Sequence, residues 1–140
     1  MKRELNDIAI LERAKANEMY EAGTVYVQVS ATNGQVHILE EPACITASKY
    51  VIVTPKIEIL PMYLYYMIWW NMDEFRHTYQ TGLNIKTEEL KKLKLDVISL
   101  KEQQYIVEQL EFIEDLEKQS ANELKFMNEF KDKMLDVLFV

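Results

Sequence analysis

The end of the sequence, residues 100–140, constrains the fold most, because it contains neither Gly nor Pro and reads as one uninterrupted helix. That length corresponds to roughly 60 Å of α-helix. Apolar residues recur along it at steps of three and four: Ile106, Leu110, Ile113, Leu116, Leu124, Met127, Phe130, Met134 and Leu138. Such a helix is too long to bury this stripe against a small domain, so we predict that it pairs with another helix. The alternative is a long single helix in solvent.

The charge of the chain is unevenly distributed. The formal net charge is −7, and residues 100–140 contain five Lys or Arg against ten Asp or Glu, which leaves eleven against thirteen for residues 1–99. The first part is therefore nearly neutral. Proteins that bind nucleic acid usually carry a basic excess, because they neutralise phosphates. The overall charge thus counts against DNA binding, and its uneven distribution weakens that objection.

Residues 24–54 show the alternation that is typical of β-strands. Val25, Val27 and Val29 alternate with polar residues, which predicts a half-buried strand at residues 24–30. Asn33-Gly34 is a strong hairpin signal, because both residues tolerate positive φ, and it predicts a returning strand at residues 36–39. A β-branched and aromatic stretch predicts a third, more buried strand within residues 45–54.

Helices are predicted on both sides of these strands. The first lies within residues 4–20, as a helix or as a helix followed by a loop, because apolar residues there have helical spacing: Leu5, Ile8 and Leu11. The second begins at Pro61, a residue suited to the first helical position, and reaches Phe75. It is apolar nearly all round, so we interpret three of its residues as core or as a subunit contact: Met67, Trp69 and Trp70.

After a break at Gly82, Thr87 is predicted to cap a short helix, and residues 93–98 are predicted to form a strand. A chain of 140 residues can hold one core plus an appendage. The predicted fold class is therefore α+β. A small mixed α/β domain occupies residues 1–99, and one long C-terminal coiled-coil helix occupies residues 100–140.

The sequence also predicts a compartment and the absence of certain groups. Cys44 is the single cysteine, the chain does not start like a signal peptide, and its longest apolar block, residues 59–70, is too short to span a bilayer. We therefore expect a reduced, cytoplasmic protein that does not enter a membrane.

His37 and His77 lie far apart without cysteine neighbours, so we predict no metal and no cofactor. Motifs for a phosphate-binding loop, a methyltransferase or a catalytic nucleophile are missing, so we predict that the chain is not an enzyme.

Several short motifs occur in an order that resembles a known family. A Pro-x-Tyr-Leu helix begins at Pro61, and a Gly-x-Asn turn follows at Gly82. A short Leu-rich helix and a strand then lead to Leu-x-Glu-Gln-x-x-Ile at residues 100–106. In this order, over residues 60–116, the sequence resembles one half of the DNA-specificity subunit of type I restriction–modification systems. In that family a target recognition domain is followed by a long conserved helix.

The resemblance implies partners as well as a fold. Members of that family carry two recognition domains and two long helices that pair antiparallel as a spacer, whereas this sequence shows one of each. A half-size subunit follows, which restores the two-fold arrangement as a homodimer through the C-terminal helix. The implied partners are double-stranded DNA and methyltransferase (modification) subunits, and the catalysis belongs to the other subunits.

Side chains that read base edges are Arg, Asn, Gln, Ser or Thr on loops, while Lys, Tyr and backbone amides hold phosphates. The candidate DNA-contacting residues are therefore Arg13, Lys15, Ser30, Thr32, Asn33, Gln35, Lys49, Arg76, His77, Tyr79, Thr81 and Asn84. Gln80 is a further candidate in the same segment as Arg76 and Thr81. For residues 76–82 the alternative is an ordinary solvated connection, and for Asn33-Gly34 it is a turn selected for its backbone. The lysines near the short helix either follow a phosphate backbone or pair with Glu88 and Glu89: Lys86, Lys91, Lys92 and Lys94.

Three functions remain open from the sequence. The first is DNA sequence recognition by a helix-paired dimer that docks onto a methyltransferase. The second is a regulatory or interaction protein that pairs with specificity or modification subunits through its long helix without reading DNA, which the low basic content favours. The third is a coiled-coil dimer module with an unrelated ligand.

Overall fold

The computed structural model describes residues 2–45 and 49–138, and within the last helix it describes side chains as far as Gln119 and again at Glu129, Asp132 and Lys133. The chain divides into two compact units, Met1–Gln104 and Tyr105–Val140. Each unit is described by itself. The predicted domain boundary between residues 99 and 100 stays a prediction.

Over the described residues the chain forms eight short strands and four helices. In order they are β1 (Lys2–Glu4), α1 (Leu5–Ile8), β2 (Ala9–Arg13), β3 (Met19–Tyr20), β4 (Val25–Gln28), β5 (Val36–Ile38), β6 (Ala43–Cys44), β7 (Tyr50–Pro55), α2 (Pro61–Tyr79), α3 (Thr87–Leu90), β8 (Lys94–Asp96) and α4 (Leu100–Leu138). This is the mixed α/β domain with a long C-terminal helix that the sequence predicted.

The core of the first unit is a four-stranded antiparallel sheet in the order β2-β7-β4-β5. Its alternating apolar residues lie on one buried face: Leu11, Val25, Val27, Val51 and Val53. The strand predicted within residues 24–30 and the hairpin that returns after Asn33-Gly34 are confirmed, with Val25 opposite Ile38. Strand β7 lies between β2 and β4, and three of its consecutive residues are buried: Val51, Ile52 and Val53.

The register brings four chain segments to one end of this sheet. Strands β2 and β4 end there, and strands β5 and β7 begin there. Gln28 is opposite Tyr50, and the Val29 amide donates to the Lys49 carbonyl at 2.8 Å. On the other side of β7, the Ala14 amide donates to the Tyr50 carbonyl at 3.0 Å. We call this end, with the loops attached to it, the loop end of the sheet.

The helix predicted within residues 4–20 is wrong for most of its length. Only the single turn α1 is helical, and the residues after it form β2, which pairs with β7 along its full length. Leu5 and Ile8 have helical spacing because they face inward from that one turn. From Ala9 onward buried and exposed side chains alternate, and pairing with the central strand decides the conformation.

Helix α2 begins at Pro61 as predicted, but it is not buried all round. Its inward side carries six buried residues: Tyr63, Leu64, Tyr66, Ile68, Met72 and Phe75. Trp69 and Trp70 are 56% and 73% exposed, so neither belongs to the core of this chain.

Helix α3 and its surroundings correct one detail of the prediction. The N-cap is Lys86, whose carbonyl accepts a hydrogen bond from the Leu90 amide, and Thr87 is the first helical residue instead of the cap. Two ion pairs of i,i+3 spacing run along the helix, Lys91–Glu88 at 2.9 Å and Lys92–Glu89 at 3.2 Å. Lys91 and Lys92 therefore pair with Glu88 and Glu89, which is one of the two alternatives that the sequence left open.

The first turn of α4 is fixed by four hydrogen bonds of the Ser99 and Gln103 side chains. The Ser99 hydroxyl accepts from the Glu102 amide at 3.2 Å and donates to the Glu102 carboxylate at 3.1 Å, which caps the helix. Gln103 is 1% exposed. Its Oε1 accepts from the Leu60 amide at 2.9 Å, and its Nε2 donates to the Ile98 carbonyl at 2.8 Å. The Glu-Gln pair in the motif at residues 100–106 thus closes the helix start against the residue before α2.

In the second unit, helix α4 exposes a row of large apolar side chains. Ile113 and Leu116 are 50% and 48% exposed, and Tyr105 and Phe112, which the sequence analysis did not select, are more exposed still. Ile106 and Leu110 are half-buried. The remaining predicted stripe residues lie outside the described side chains: Leu124, Met127, Phe130, Met134 and Leu138. The long helix is confirmed, and its pairing stays a prediction.

Within the described residues, no helix combines the length and apolarity needed to cross a membrane.

Candidate nucleic-acid interface

The β4–β5 loop projects from the loop end of the sheet and is held by its own side chains. Thr32 is 2% exposed, and its hydroxyl donates to Gln35 Oε1 at 2.8 Å and accepts from the Gly34 amide at 2.8 Å. The Asn33 amide donates to the same Gln35 oxygen at 3.0 Å. Thr32, a predicted contact residue, is thus part of the loop framework, whereas Asn33 and Gln35 are exposed.

A second segment, residues 80–85, is bonded to this loop. The Thr32 amide donates to the Leu83 carbonyl at 2.9 Å, and the Ala31 amide donates to Asn84 Oδ1 at 3.0 Å. The Ile85 amide donates to the Val29 carbonyl at 2.8 Å. These bonds place Thr81 and Asn84, both exposed, next to Ser30, which is half-buried. The turn at Gly82 that the sequence indicated therefore belongs to the loop end.

The C-terminal end of α2 joins the same cluster through Gln80. Its Nε2 donates to the Thr32 carbonyl at 3.0 Å and to the Gly82 carbonyl at 3.3 Å. Its Oε1 accepts from Arg76 Nε at 2.5 Å. One amide side chain thus connects the loop, the turn and the guanidinium group.

These contacts surround an open cleft of about 360 Å³, which we call the loop cleft. Its lining includes Asn33, Asp73, Arg76, His77, Gln80 and Leu83. Asp73 was missed by the sequence analysis. Its position three residues before Arg76 on the polar side of a helix is a signal that could have found it. The loop cleft therefore contains a cation, an anion and amide groups.

The predicted basic residues at the loop end lie apart from the loop cleft. Arg13 is the last residue of β2 and Lys15 follows that strand; both are exposed and line another small cleft together with Glu12 and Glu18. Lys49 precedes β7, with its Nζ 5.5 Å from the centre of the Tyr50 ring. The antiparallel pairing of β2 with β7 brings Arg13, Lys15 and Lys49 to the same end of the sheet. Arg13 and Lys15 are at the end of β2, whereas Lys49 is at the start of β7.

Tyr79 is the predicted residue that the structure separates most clearly from the others. Its ring packs on Phe75 with centroids 4.9 Å apart, and Lys92 Nζ lies 5.6 Å from its centre. It lines a cleft with Lys2 and Lys94, apart from the loop cleft. Tyr79 therefore does not line the loop cleft, and its contact with DNA stays a prediction.

The exposed side of the sheet near the loop end is aromatic. The Tyr26 ring stacks on His37 with centroids 5.1 Å apart and meets the edge of Tyr50 at 5.2 Å. Burial lowers the pKa of His37 from its ordinary value of 6.5, because desolvation disfavours the charged imidazole. Beside it, Trp69 and Trp70 line a wider cleft with Asn33 and Gln35. Among the described residues, no three His, Cys, Asp or Glu side chains come together as metal ligands do.

Comparison with known proteins shows the family to which the chain is related. The model of a family described as the type I restriction modification DNA specificity domain matches residues 2–125. No curated protein sequence matches the chain. Among solved structures, the type I restriction–modification S subunit from M. genitalium superimposes with a TM-score of 0.71 at 15% identity, covering 99% of this chain and 45% of that one.

Two further structures give the same result. A chain from a study of complex assembly and conformational transition of the type I R-M system has a TM-score of 0.71 at 15% identity and covers 97% of this chain and 44% of its own. The HsdS subunit from Thermoanaerobacter tengcongensis has a TM-score of 0.62 at 13% identity, with coverages of 87% and 38%. The chain spans less than half the length of these structures, and at such identities the likeness concerns the fold.

Proposed function

Because the chain belongs to the family of type I restriction modification DNA specificity domains, we propose that it recognises a specific DNA sequence with the loop end of its sheet. The family is one of DNA-recognition domains, and the chain is accordingly not an enzyme. Its contribution to a restriction–modification system is then to choose the site at which other subunits act.

One observation carries this proposal: polar residues from separate parts of the chain converge on one end of the sheet. Residues 30–35, 76–77 and 81–84 are tied together by hydrogen bonds, and Lys15 and Lys49 flank them on neighbouring strands. Exposed amides and Arg are the groups that discriminate base edges, and Lys is suited to phosphates. A surface built only for folding would not require this composition.

The negative charge of the chain does not conflict with the proposal. The excess of Asp and Glu is concentrated in residues 100–140. The loop end carries four predicted cationic contacts, Arg13, Lys15, Lys49 and Arg76, and three carboxylates line the clefts beside them: Glu12, Glu18 and Asp73. Since phosphate attraction falls off within about 10 Å at moderate salt, the local charge matters more than the total. We expect weak non-specific affinity and a correspondingly large share of the binding from base contacts.

We also propose that the chain acts as half of a two-domain reader. Two copies would pair through α4, present two loop ends to a bipartite site, and dock together onto methyltransferase subunits. The exposed apolar row of α4 supports the pairing. The docking is an expectation from the family.

A second function is favoured by the net charge of −7. In this alternative the chain pairs with a specificity or modification subunit through α4 and modulates assembly without reading DNA. A stable complex with modification subunits, whose DNA affinity is unchanged by Arg76→Ala, would decide for it. A loss of sequence preference in the same variant would decide against it.

The phosphate contacts give a direct test of the first function. Lys15→Ala with Lys49→Ala should weaken binding to all duplexes alike and reduce the slope of log affinity against log salt by about 2, because each neutralised phosphate contributes about 0.9. The measurement is a fluorescence-anisotropy titration of a duplex at several salt concentrations. The matched control, Lys101→Ala with Lys118→Ala, makes the same change of charge on α4 and should leave the slope unchanged. Equal slopes for all three proteins, or no binding of any duplex at low salt, would refute the proposal.

A further inference from the structure

Resting on the proposed function, we propose that the loop cleft reads a G·C base pair through its major-groove edge, with Arg76 on the guanine and Asp73 on the cytosine. Both side chains line the loop cleft, and their spacing of three residues places them as neighbours on one face of α2. Among the described residues no ion pair joins Arg76 or Asp73 to another side chain, so both charges are available to a ligand.

The guanidinium of Arg76 is held at two points. Gln80 Oε1 accepts from its Nε, which fixes the plane of the group. Gly34 lies against its stem: a Cβ added to Gly34 would be 2.7 Å from Arg76 Cδ and 2.6 Å from Met72 Cγ. Gly34 also has a φ of +80°, which glycine adopts without strain. An arginine whose stem and Nε are both positioned presents its two terminal amino groups as a fixed pair of donors.

A fixed pair of donors matches guanine among the four bases. Guanine offers two adjacent acceptors in the major groove, N7 and O6, whereas adenine offers one acceptor beside an amino donor. The amino group of adenine would oppose one of the two arginine donors. Bidentate recognition by Arg76 therefore favours guanine over adenine at the position it faces.

Asp73 has two roles in this recognition: it contacts the cytosine of the pair, and its negative charge disfavours binding of phosphates in the loop cleft. A carboxylate repels the phosphate backbone, so a cleft that contains Asp73 beside Arg76 is poorly suited to phosphates. The same carboxylate accepts a hydrogen bond from the cytosine amino group, whereas thymine presents a carbonyl oxygen there. Donors from Arg76 and an acceptor from Asp73 thus complement a G·C pair and oppose an A·T pair on both bases.

In this scheme Gln80 is a positioning residue, because it acts on DNA through Arg76. It also donates to the Thr32 carbonyl, so it sets the distance between Arg76 and the β4–β5 loop that carries Asn33. Gln80→Ala removes both connections. Gln80→Glu retains an acceptor for Arg76 Nε and loses the donor to Thr32, so it should preserve more of the guanine preference than the alanine variant does.

The experiment begins with selection of duplexes from a randomised pool by the full chain, followed by competition titrations with single base-pair changes in the selected site. Arg76→Lys and Asp73→Asn should each reduce the preference for one G·C pair over A·T by about tenfold and leave the other positions unchanged. Gln80→Ala should reduce the preference at that same pair. Glu74→Gln is the matched control, because it removes a carboxylate from the adjacent residue, which lines a different cleft, and it should leave every preference unchanged.

The outcomes separate this inference from the function on which it rests. A selected site that retains all its preferences in Arg76→Lys and Asp73→Asn, or that contains no G·C pair, overturns the base assignment and leaves DNA recognition standing. Uniform weakening at every position in Gln80→Ala means that Gln80 only supports the fold, which overturns its positioning role. Failure of the unmodified chain to select any sequence overturns the proposed function, and the base assignment with it.

Discussion

Replacing Ile113 and Leu116 together by lysine should convert the chain from a dimer into monomers. Both side chains are about half exposed on α4, beside the still more exposed Tyr105 and Phe112. A row of apolar side chains at helical spacing is stabilised when a second helix covers it and removes it from water. Each lysine would place a charge in the middle of that contact, on both copies of a symmetric pair. We expect the dimer dissociation constant to rise by at least about a hundredfold.

The measurement is sedimentation equilibrium at micromolar concentration. The control, Glu111→Gln with Asp115→Asn, changes the net charge by the same amount at exposed polar positions of the same helix and should remain dimeric. Truncation at Lys118, which removes the second half of the predicted stripe, should weaken the dimer as well. A monomeric unmodified chain would contradict the pairing, as would a dimer that survives both lysines.

The second large effect is expected at Gln103, where Gln103→Ala should destabilise the first unit by about 3 kcal/mol. The side chain is 1% exposed and satisfies the Leu60 amide and the Ile98 carbonyl. Alanine would leave both backbone groups without a partner away from water, each costing about 1–3 kcal/mol, and would open a cavity. The loss of stability would be greatest at the starts of α2 and α4, because the two hydrogen bonds of Gln103 hold these helix starts in place.

The free energy of unfolding of Gln103→Ala can be measured by urea denaturation followed by tryptophan fluorescence, since Trp69 and Trp70 lie on α2. Gln109→Ala is the matched control, because Gln109 is an exposed glutamine of the same helix, and its effect should stay within about 0.5 kcal/mol. Equal stabilities of the two variants would show that Gln103 does not fix the helix start.

The fold was predictable from sequence wherever the apolar residues repeat with either the strand period or the helix period alone. Val25, Val27 and Val29 follow the strand period, and the apolar residues of α4 follow the helix period over a length that strands do not reach. The N-terminus was misread because Leu5, Ile8 and Leu11 fit a helix, whereas β2 owes its conformation to pairing with β7, some forty residues away in sequence. Local pattern does not contain that pairing.

The candidate site was predictable as a set of residues and not as an arrangement. Asn33, Arg76 and Asn84 were selected because Asn and Arg are side chains that read base edges. Their proximity depends on hydrogen bonds between distant segments, such as Gln80 to the Thr32 carbonyl. Asp73 was overlooked because the helix was predicted only as far as Phe75, so its three-residue spacing from Arg76 on one helix was not considered. Thr32 was included because burial of a loop threonine cannot be read from its neighbours.

The central claim is that the loop end of the sheet is the surface that meets DNA. Amide hydrogen exchange of the full chain, with and without the duplex it selects, tests this most directly. We predict protection at residues 29–35, 49–50 and 76–84, and none in β1, β8 or residues 105–119. Protection confined to residues 105–119, or the absence of protection at the loop end under conditions where the duplex is bound, would contradict the claim.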